Sequence, residues 1–277
     1  MQSYSLKHMP KFYLASDLHL EFGSLVIENH DNVDCLILAG DVAEFAQFKK
    51  EGETKKPWIA DVLRQISRDF KRVVWVPGNH EYYGCYYMQK SLDDTRDWLK
   101  AHYCDNIELL DNQSIGIEGV PIHCATLWTD MNRGDPVAQI AIRGGLNDYN
   151  CIRGATAANA GSKISTRSVL GLHAQSLKFL ANATADGRDC VVVTHHQPTM
   201  AGLSYNSGTD IDYAYASDLS EFFIQRPNIQ VWCSGHAHAA GRELVLGPHQ
   251  QRFLTNCRGY LGYEPIAAKF APMLFSV

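Results

Sequence analysis

The segment KFYLASDLH, residues 11–19, places a short apolar run directly before two side chains that can bind a metal ion. Lys11–Ala15 has the length and the apolar character of a buried β-strand. Asp17 and His19 follow it two residues apart, so on an extended backbone both side chains point to the same side. The segment therefore predicts a strand that brings a carboxylate and an imidazole to one edge of a sheet.

Four further apolar runs end in polar, glycine or histidine residues. The runs are residues 35–39, 72–76, 190–194 and 231–234, and they are followed by Gly40-Asp41, by Pro77-Gly78-Asn79-His80-Glu81, by His195-His196 and by Gly235-His236-Ala237-His238. Segments with helical character lie between them, at about 58–70, 88–102, 168–183 and 216–225. This alternation predicts an α/β fold in which helices cover a sheet, with the ligand site beyond the carboxyl ends of the strands.

The middle of the chain is less regular. Residues 114–127 alternate in a way that predicts strands or a hairpin. Residues 130–165 are rich in Gly, Ala, Asn and Arg with weak periodicity, so we expect a long excursion near the site, where such loops often have a function. No repeat or linker marks a second domain, and we expect residues 1–277 to form one domain.

The composition predicts a folded protein of enzyme size. Of the 277 residues, 45% are hydrophobic and 20% are charged, which suits a buried core. The formal net charge of -5 and the lack of a Lys/Arg run argue against a surface that neutralises a long nucleic-acid backbone. A small anionic substrate stays compatible with this charge if metal ions concentrate positive charge locally.

Several features favour a cytoplasmic location. Residues 1–22 contain no continuous apolar region of the kind found in signal peptides, and no run reaches membrane-spanning length. The eight cysteines are scattered without a C-x-x-C pair. We therefore expect reduced, packing cysteines and no membrane partner, with disulfide pairing as the less supported alternative.

The strand ends together supply candidate metal ligands without a thiolate: Asp17, His19, Asp41, Asn79, His195, His236 and His238. Carboxylate, amide and imidazole donors suit first-row ions such as Mn, Fe, Co, Ni or Zn. Seven donors are too many for one such ion. If Asp41 bridges, two ions each receive four protein donors, and the pair can bind a shared hydroxide. Each motif alone fits an ordinary turn or helix cap, but their joint order past five apolar runs favours a metal site.

The succession D-x-H, G-D, G-N-H-E, T-H-H and G-H-x-H resembles the calcineurin-like metallophosphoesterase family over residues 13–277. The resemblance implies hydrolysis of phosphate esters and a two-sheet β-sandwich flanked by helices, with α/β/β/α layers. It implies a first ion held by Asp17, His19, Asp41 and His238, and a second held by Asp41, Asn79, His195 and His236. Motifs at 125–130, 215–219 and 256–260 are similar to a compact bacterial and phage branch, which commonly has proline where this chain has Cys257.

Other residues are candidates for substrate contacts. His80 matches the catalytic histidine of the family, and we expect it to contact the phosphate beside Asn79 and to act as general acid. Glu81 either orients His80 or faces solvent, His196 either faces the substrate or packs, and Arg258 either binds phosphate or lies on the surface. Some aromatic residues form either a wall for the leaving group or part of the core: Tyr82, Tyr83, Tyr86, Tyr87 and Trp128.

The sequence leaves three functions open. We expect hydrolysis of small phosphate monoesters or diesters. The alternatives are a nuclease acting on DNA or RNA, which the acidic balance opposes, and a catalytically silent metal-binding interaction module. Such modules usually lose ligands or the histidine that follows Asn79, and this chain retains both.

Overall fold

The computed structural model of the protein describes residues 9–49, 53–102 and 104–277. The expectation that residues 1–22 are not a signal peptide falls partly on residues 1–8, which lie outside the described residues. Within the described ranges, no helix combines the length and the apolar character that a membrane crossing requires.

Short strands alternate with helices along most of the chain. The strands are β1 (Lys11–Ala15), β2 (Cys35–Leu38), β3 (Val73–Trp75), β4 (Ile107–Leu109), β5 (Gln113–Ile117), β6 (Val120–Ala125), β7 (Cys190–Thr194), β8 (Ile229–Ser234), β9 (Arg242–Leu246), β10 (Gln251–Thr255) and β11 (Met273–Ser276). The helices are α1 (Pro57–Asp69), α2 (Met88–Ala101), α3 (Met131–Gly134), α4 (Pro136–Gly145), α5 (Asp148–Cys151), α6 (Thr166–Ala183) and α7 (Ser220–Ile224).

The strands form two mixed sheets. The five-stranded sheet has the order β11-β1-β2-β3-β4, in which β1 to β4 are parallel and β11 is antiparallel. The six-stranded sheet has the order β5-β6-β7-β8-β10-β9, with parallel central strands and antiparallel β5 and β9 at its edges. The parallel strands of each sheet therefore deliver their carboxyl ends to one edge, as their motifs predict.

The two sheets pack face to face, and helices cover their outer faces. Ile37 of β2 belongs to the core between the sheets, together with Val193 of β7. Leu36, its neighbour in β2, packs on the other face with α1 and α2, and Val192 packs with α6 and α7. Burial on both faces explains why these strands are uniformly apolar. The predicted two-sheet sandwich flanked by helices is confirmed.

Most elements lie where their patterns predict. β1 and β7 have the predicted bounds, and residues 114–127 form the antiparallel hairpin of β5 and β6. The prediction of a helix from residue 216 is wrong at its start, because α7 begins only at Ser220. Ala216 instead forms a β-bridge with Gln197, and the N–H of Ser217 donates to the Gln197 carbonyl at 3.0 Å.

The excursion at residues 130–165 is more helical than its composition indicates. It contains α4 and α5, whereas α3 is a single left-handed turn with φ angles of 49° at Met131, 56° at Asn132 and 57° at Arg133. The Asp135 carboxylate accepts hydrogen bonds from the N–H groups of Val137 and Ala138, and Pro136 occupies the first turn of α4, so this helix has a strong start. The excursion lies beside the predicted site, where Asp148 at the start of α5 contacts Asn79.

Candidate active site

The loops that carry the predicted ligands are tied together by their backbones. The N–H of Asp17 donates to Gly40 O at 2.8 Å, and that of His19 donates to Asp41 O at 2.9 Å. In the six-stranded sheet, the N–H of Gly235 donates to His195 O at 2.9 Å. These bonds link strand ends within each sheet, so the ligands depend on the sheet topology for their positions.

The backbone at five of the seven predicted ligands is left-handed. The φ angles are 51° at Asp17, 44° at His19, 53° at Asp41, 69° at His236 and 47° at His238. The extended geometry that we expected at Asp17 and His19 is therefore wrong, although the side chains do converge. Such conformations are costly for residues with a side chain, and they cluster at functional sites that the surrounding structure holds in place.

The first group of donors comes from two loops, those after β1 and β8. His19 Nε2 lies 3.3 Å from His238 Nε2, and His238 Nε2 lies 3.5 Å from Asp17 Oδ1. Donor atoms about 2.1 Å from a shared first-row ion lie roughly 3 to 3.5 Å from one another. Asp17, His19 and His238 thus have the separations of ligands around one ion.

The second group lies next to the first and shares Asp41 with it. Asp41 Oδ2 is 3.4 Å from His195 Nε2 and 3.8 Å from His19 Nε2, so one oxygen faces both groups. Asn79 Oδ1 lies 3.1 Å from His195 Nε2, and His236 belongs to the same group as Asp41 and His195. The structure thus brings all seven predicted ligands together.

Two observations test whether these groups fit metal ions. His236 Nε2 is buried and has no hydrogen-bond partner, which is costly unless another ligand occupies its lone pair. Burial, followed by repulsion from His196 and His195, lowers the pKa of His236 well below its usual range and keeps the ring neutral. A neutral imidazole with an unpartnered nitrogen suits a metal ion. The donor set therefore fits first-row ions.

Acceptors on the opposite ring nitrogens fix three of the imidazoles. His19 Nδ1 contacts Glu21 Oε1 at 2.9 Å, His238 Nδ1 contacts Glu264 Oε1 at 2.6 Å, and His195 Nδ1 contacts the Ala39 carbonyl at 2.9 Å. An acceptor at Nδ1 places the proton there and leaves Nε2 free to bind a metal. Carboxylate partners of this kind orient ligands and increase their basicity.

The carboxylate that lies between the two groups is buried among imidazoles. Asp41 is 2% exposed. Burial raises its pKa, but His195 and then His80 more than offset that effect and hold the pKa well below the usual range. Gly78 lies so close that a Cβ there would overlap both Asp41 and His195. Asp41 is thus ionised. The space beside it leaves no room for a side chain at Gly78.

His80 lies at the edge of the metal groups and is held on several sides. Its ring stacks on Tyr83 with centroids 4.2 Å apart, its Nδ1 is 3.5 Å from Glu21 Oε1, and its Nε2 is 3.3 Å from the Tyr260 hydroxyl. Burial lowers the pKa of His80, but Asp41 and Glu21 outweigh burial and raise it to about 9. The imidazole therefore favours the protonated form that a general acid needs.

Glu81 supports the metal loops and does not face solvent. Its carboxylate accepts hydrogen bonds from the N–H groups of Asp41, Val42 and Gly78 and from the Trp75 indole, and it is 0% exposed. The carboxylate that contacts His80 belongs to Glu21. Glu81 thus holds the loop of Asp41 against the loop of Asn79.

His196 lies behind the metal groups and not at the surface of the cleft. It is 2% exposed, its Nδ1 contacts the Thr126 carbonyl at 3.2 Å, and its ring lies 4.2 Å from that of His236. Burial, with repulsion from His195, lowers its pKa to about 3. Of the two roles that the sequence leaves open, these contacts support packing.

Arg258 binds backbone carbonyls and is not placed to bind phosphate. Its guanidinium donates to Leu18 O at 2.8 Å, Gly23 O at 3.0 Å and Ser24 O at 2.9 Å, and the residue is 3% exposed. These bonds hold the segment after β1 that carries His19 and Glu21. Neither surface exposure nor phosphate recognition agrees with this position.

We expect Arg258→Ala to lower stability before it affects substrate binding. The change leaves three carbonyl oxygens without their donor, at a cost of about 1–3 kcal/mol in the free energy of unfolding. Urea denaturation measures this loss, with Arg68→Ala, at an exposed arginine of α1, as the matched control. Unchanged stability together with a raised KM for phosphate esters would instead support a phosphate-binding role.

Asp148 is a site residue that sequence reasoning missed. Its Oδ1 accepts hydrogen bonds from Asn79 Nδ2 at 2.8 Å and from the Tyr83 hydroxyl at 2.5 Å. The first bond turns Asn79 so that its oxygen faces His195 and the metal group. The second fixes the ring that stacks on His80. Nothing in residues 130–165 marks this aspartate, whereas the alternation D-x-H-x-E at residues 17–21 contains a signal for Glu21.

We expect Asp148→Ala to weaken metal binding at the group that contains Asn79 more than at the group that contains Asp17. Loss of an outer partner of a ligand typically costs about 10–100-fold in metal affinity, and Asp148→Asn, which keeps an acceptor oxygen, should lose less. Metal titration of both variants measures this difference. Ile140→Ala, on the exposed face of α4, serves as the control. Equal weakening of both ions would show that Asp148 only stabilises the fold.

A cleft of about 520 Å³ opens onto the metal groups. Asp41, Asn79, His80, His236 and His238 lie at one side of it. Tyr83, of the five aromatic candidates, lines the cleft, whereas Tyr82 and Trp128 belong to the hydrophobic core. Four of the predicted ligands and the predicted general acid thus line one solvent-accessible cavity.

Comparison with known proteins agrees with this arrangement. Residues 10–240 match the family described as calcineurin-like phosphoesterase. An uncharacterized protein of Acanthamoeba polyphaga mimivirus is 25% identical over 285 residues, covering 94% of each chain. The acyl-carrier-protein phosphodiesterase PptH of Mycobacterium tuberculosis is 34% identical over 103 residues, which span 37% of this chain and 26% of that protein.

Two solved structures share the fold. The phosphopantetheinyl hydrolase PptH from Mycobacterium tuberculosis superposes with a TM-score of 0.62 at 18% identity, covering 98% of this chain and 97% of that one. A dimetal phosphatase from Danio rerio gives a TM-score of 0.52 at 14% identity, with 97% and 92% covered. The family match extends over most of the sequence and includes the strand ends from Asp17 to His238. The chain therefore belongs to the calcineurin-like phosphoesterase family and is a metal-dependent phosphoric ester hydrolase.

Proposed function

We propose that the chain hydrolyses small phosphate monoesters or diesters with two first-row metal ions. The observation that carries this proposal is the shared position of Asp41, whose Oδ2 lies between His195 on one side and His19 on the other. Asp17, His19, Asp41 and His238 would hold one ion, and Asp41, Asn79, His195 and His236 the other. Mn, Fe, Zn, Co and Ni all suit these donors.

The ions would lower the pKa of water and neutralise charge on the phosphate when bound at these groups. The protein itself orients the ester and supplies a proton. His80 borders both the cleft and Asp41, so its imidazole is placed to donate a proton to the leaving oxygen. Contacts with Glu21, Tyr83 and Tyr260 limit rotation of the His80 ring.

A diester on a carrier protein is a second candidate substrate. Similarity to PptH, described as an acyl-carrier-protein phosphodiesterase, favours this class, although the sequence match covers 37% of the chain. The cleft also has room for an extended substituent. In contrast, the net charge of -5 supports neither a nuclease nor binding along a nucleic-acid backbone.

The test is hydrolysis of a small diester, a small monoester and single- and double-stranded oligonucleotides across a salt series. The protein is first reconstituted separately with each metal. We expect small esters to be hydrolysed with weak salt dependence, and duplex DNA to be poor or inert. Efficient duplex cleavage that falls steeply with salt would favour the nuclease, since each neutralised phosphate releases counterions. No hydrolysis by the metal-loaded protein would favour the silent module.

A further inference from the structure

The cleft continues away from the metal groups between two segments of the chain. One wall is residues 145–148, between α4 and α5, and the other is residues 203–215, which lead towards α7. A phosphate held at the metal groups would therefore direct its organic substituent along these walls. Their chemistry decides which substituent fits.

Carboxylates are the charged groups along the walls. Asp148, Asp212 and Glu264 line the cleft, and among its described lining residues there is no lysine or arginine. Asp212 accepts hydrogen bonds from Ser207 N at 3.2 Å, Ser207 Oγ at 2.8 Å and Gly208 N at 2.9 Å, which fix the position of its carboxylate in the wall. An anionic substituent would meet negative charge beyond the metal groups.

Arg242 and Arg258 both use their guanidinium groups to bind backbone carbonyls, and Arg242 binds one of the two wall segments without lining the cleft. Arg242 donates to the carbonyl oxygens of Gly202 at 3.3 Å, Leu203 at 2.6 Å and Ala201 at 3.4 Å. Arg258 is bonded to the carbonyls after β1. Neither arginine lines the cleft, so neither is placed to neutralise a second anionic group.

Apolar and aromatic surface makes up much of the remaining wall. Leu146 contributes an aliphatic side chain from one segment, and Leu203 and Ile211 contribute two from the other. Tyr215 lies near the metal groups, with its ring 5.0 Å from that of His236, and Tyr205 is 77% exposed at the mouth. Binding to such a surface is favourable for an apolar substituent, which buries carbon atoms. It is unfavourable for a charged substituent, which must lose its hydration.

Building on the proposed hydrolase function, we propose that the cleft selects phosphate esters whose organic substituent carries no negative charge and has an apolar part. It rejects esters with a second anionic group, such as a carboxylate or a further phosphate. A second anionic group would find no cation in the cleft to pair with and would be repelled by the carboxylates of Asp212 and Glu264. Selection between substrates can rest on such repulsion as much as on attraction.

Three aryl phosphates with similar leaving groups test the proposal. They are the phosphate esters of N-acetyltyramine, tyramine and 3-(4-hydroxyphenyl)propanoate, which are neutral, cationic and anionic at the far end. A two-carbon spacer separates that end from the ring, so the three phenols differ little as leaving groups. We expect kcat/KM for the anionic ester to be at least about 10-fold below the neutral one at low salt, and the gap to narrow as salt screens the charges.

Replacing Tyr205 tests the charge of the wall directly. We expect Tyr205→Lys to raise kcat/KM for the anionic ester several-fold relative to the neutral ester and to lower it for the cationic ester. Tyr205→Met, a neutral chain of similar length, should leave the charge preference as in the unmodified protein. Hydrolysis of the neutral ester reports that each variant is folded and loaded with metal.

The outcomes separate this proposal from the proposed function. If the metal-loaded protein hydrolyses none of the three esters and no simple aryl phosphate, the hydrolase function with these substrates fails. Equal rates for all three esters, with no response of their ratio to salt or to Tyr205→Lys, would overturn the charge selection and leave the hydrolase function intact.

Discussion

Replacing Asp41 by alanine is expected to remove both metal ions and nearly all activity. The Asp41 carboxylate is the donor that both groups of ligands share, since its Oδ2 lies 3.4 Å from His195 Nε2 and 3.8 Å from His19 Nε2. Its loss deprives each proposed ion of a ligand. It also leaves two cations facing each other without an anion between them, which is strongly unfavourable at short distance.

The loss of metal and activity in Asp41→Ala should exceed the loss caused by replacing any residue that only orients a metal ligand. Substitutions of residues that orient metal ligands cost up to about 100-fold in affinity or activity, so we expect a loss above 100-fold for Asp41→Ala. Elemental analysis and kcat/KM on a small ester measure the two effects. Asp61→Ala, which removes an exposed carboxylate on α1, is the matched control.

The same variant tests the number of ions. One tight site in the unmodified protein, retained by Asp41→Ala, would contradict the dinuclear proposal. Asp41 Oδ1 also accepts the N–H of His80 at 2.9 Å, so circular dichroism should accompany the metal analysis to show that the fold is retained.

The sequence predicts the strand ends well because the relevant information is local. Each ligand follows an apolar run, and parallel strands in one sheet necessarily bring their carboxyl ends to a common edge. The pairing of β1 with β2 and of β7 with β8 follows this rule and places His19 near Asp41 and His195 near His236. The resemblance to the family supplied the division into two sheets.

The partners of the ligands were not predicted because they are distant in the chain and chemically ordinary. Glu264 reaches His238 over 26 residues, and Asp148 reaches Asn79 over 69. Neither lies in a motif. The left-handed backbone at Asp17 and His19 was also missed: aspartate and histidine adopt it more often than most residues, but the positions are fixed only by the loop bonds to Gly40 and Asp41.

Arg258 shows why residue type alone assigns roles poorly. A guanidinium suits phosphate and carbonyl oxygens alike, and the choice depends on which of them surrounds it after folding. Here the turn that follows His19 presents three carbonyls to it. The charge selection of the cleft has the same origin, because it depends on where Arg242 and Arg258 are bonded and not on how many arginines the chain contains.

Replacing His80 by alanine is expected to abolish most turnover while both metal ions stay bound. His80 is absent from the proposed ligand set, and its ring is held by Glu21, Tyr83 and Tyr260 at the side of the cleft. Loss of a general acid typically costs about 10²–10⁴-fold in rate. His30→Ala, at a histidine with 77% side-chain exposure, controls for the substitution itself.

Leaving-group dependence separates general acid catalysis from other roles of His80. An alkyl leaving group needs a proton to depart, whereas a nitrophenolate does not, so the loss in His80→Ala should shrink from alkyl to nitrophenyl esters. Measuring kcat for such a series in both proteins, with metal content determined on the same samples, gives the result. If His80→Ala loses metal, the imidazole acts as a ligand, as its proximity to His19 and Asp41 permits. If metal is retained but all esters slow equally, His80 positions the phosphate and does not donate the proton.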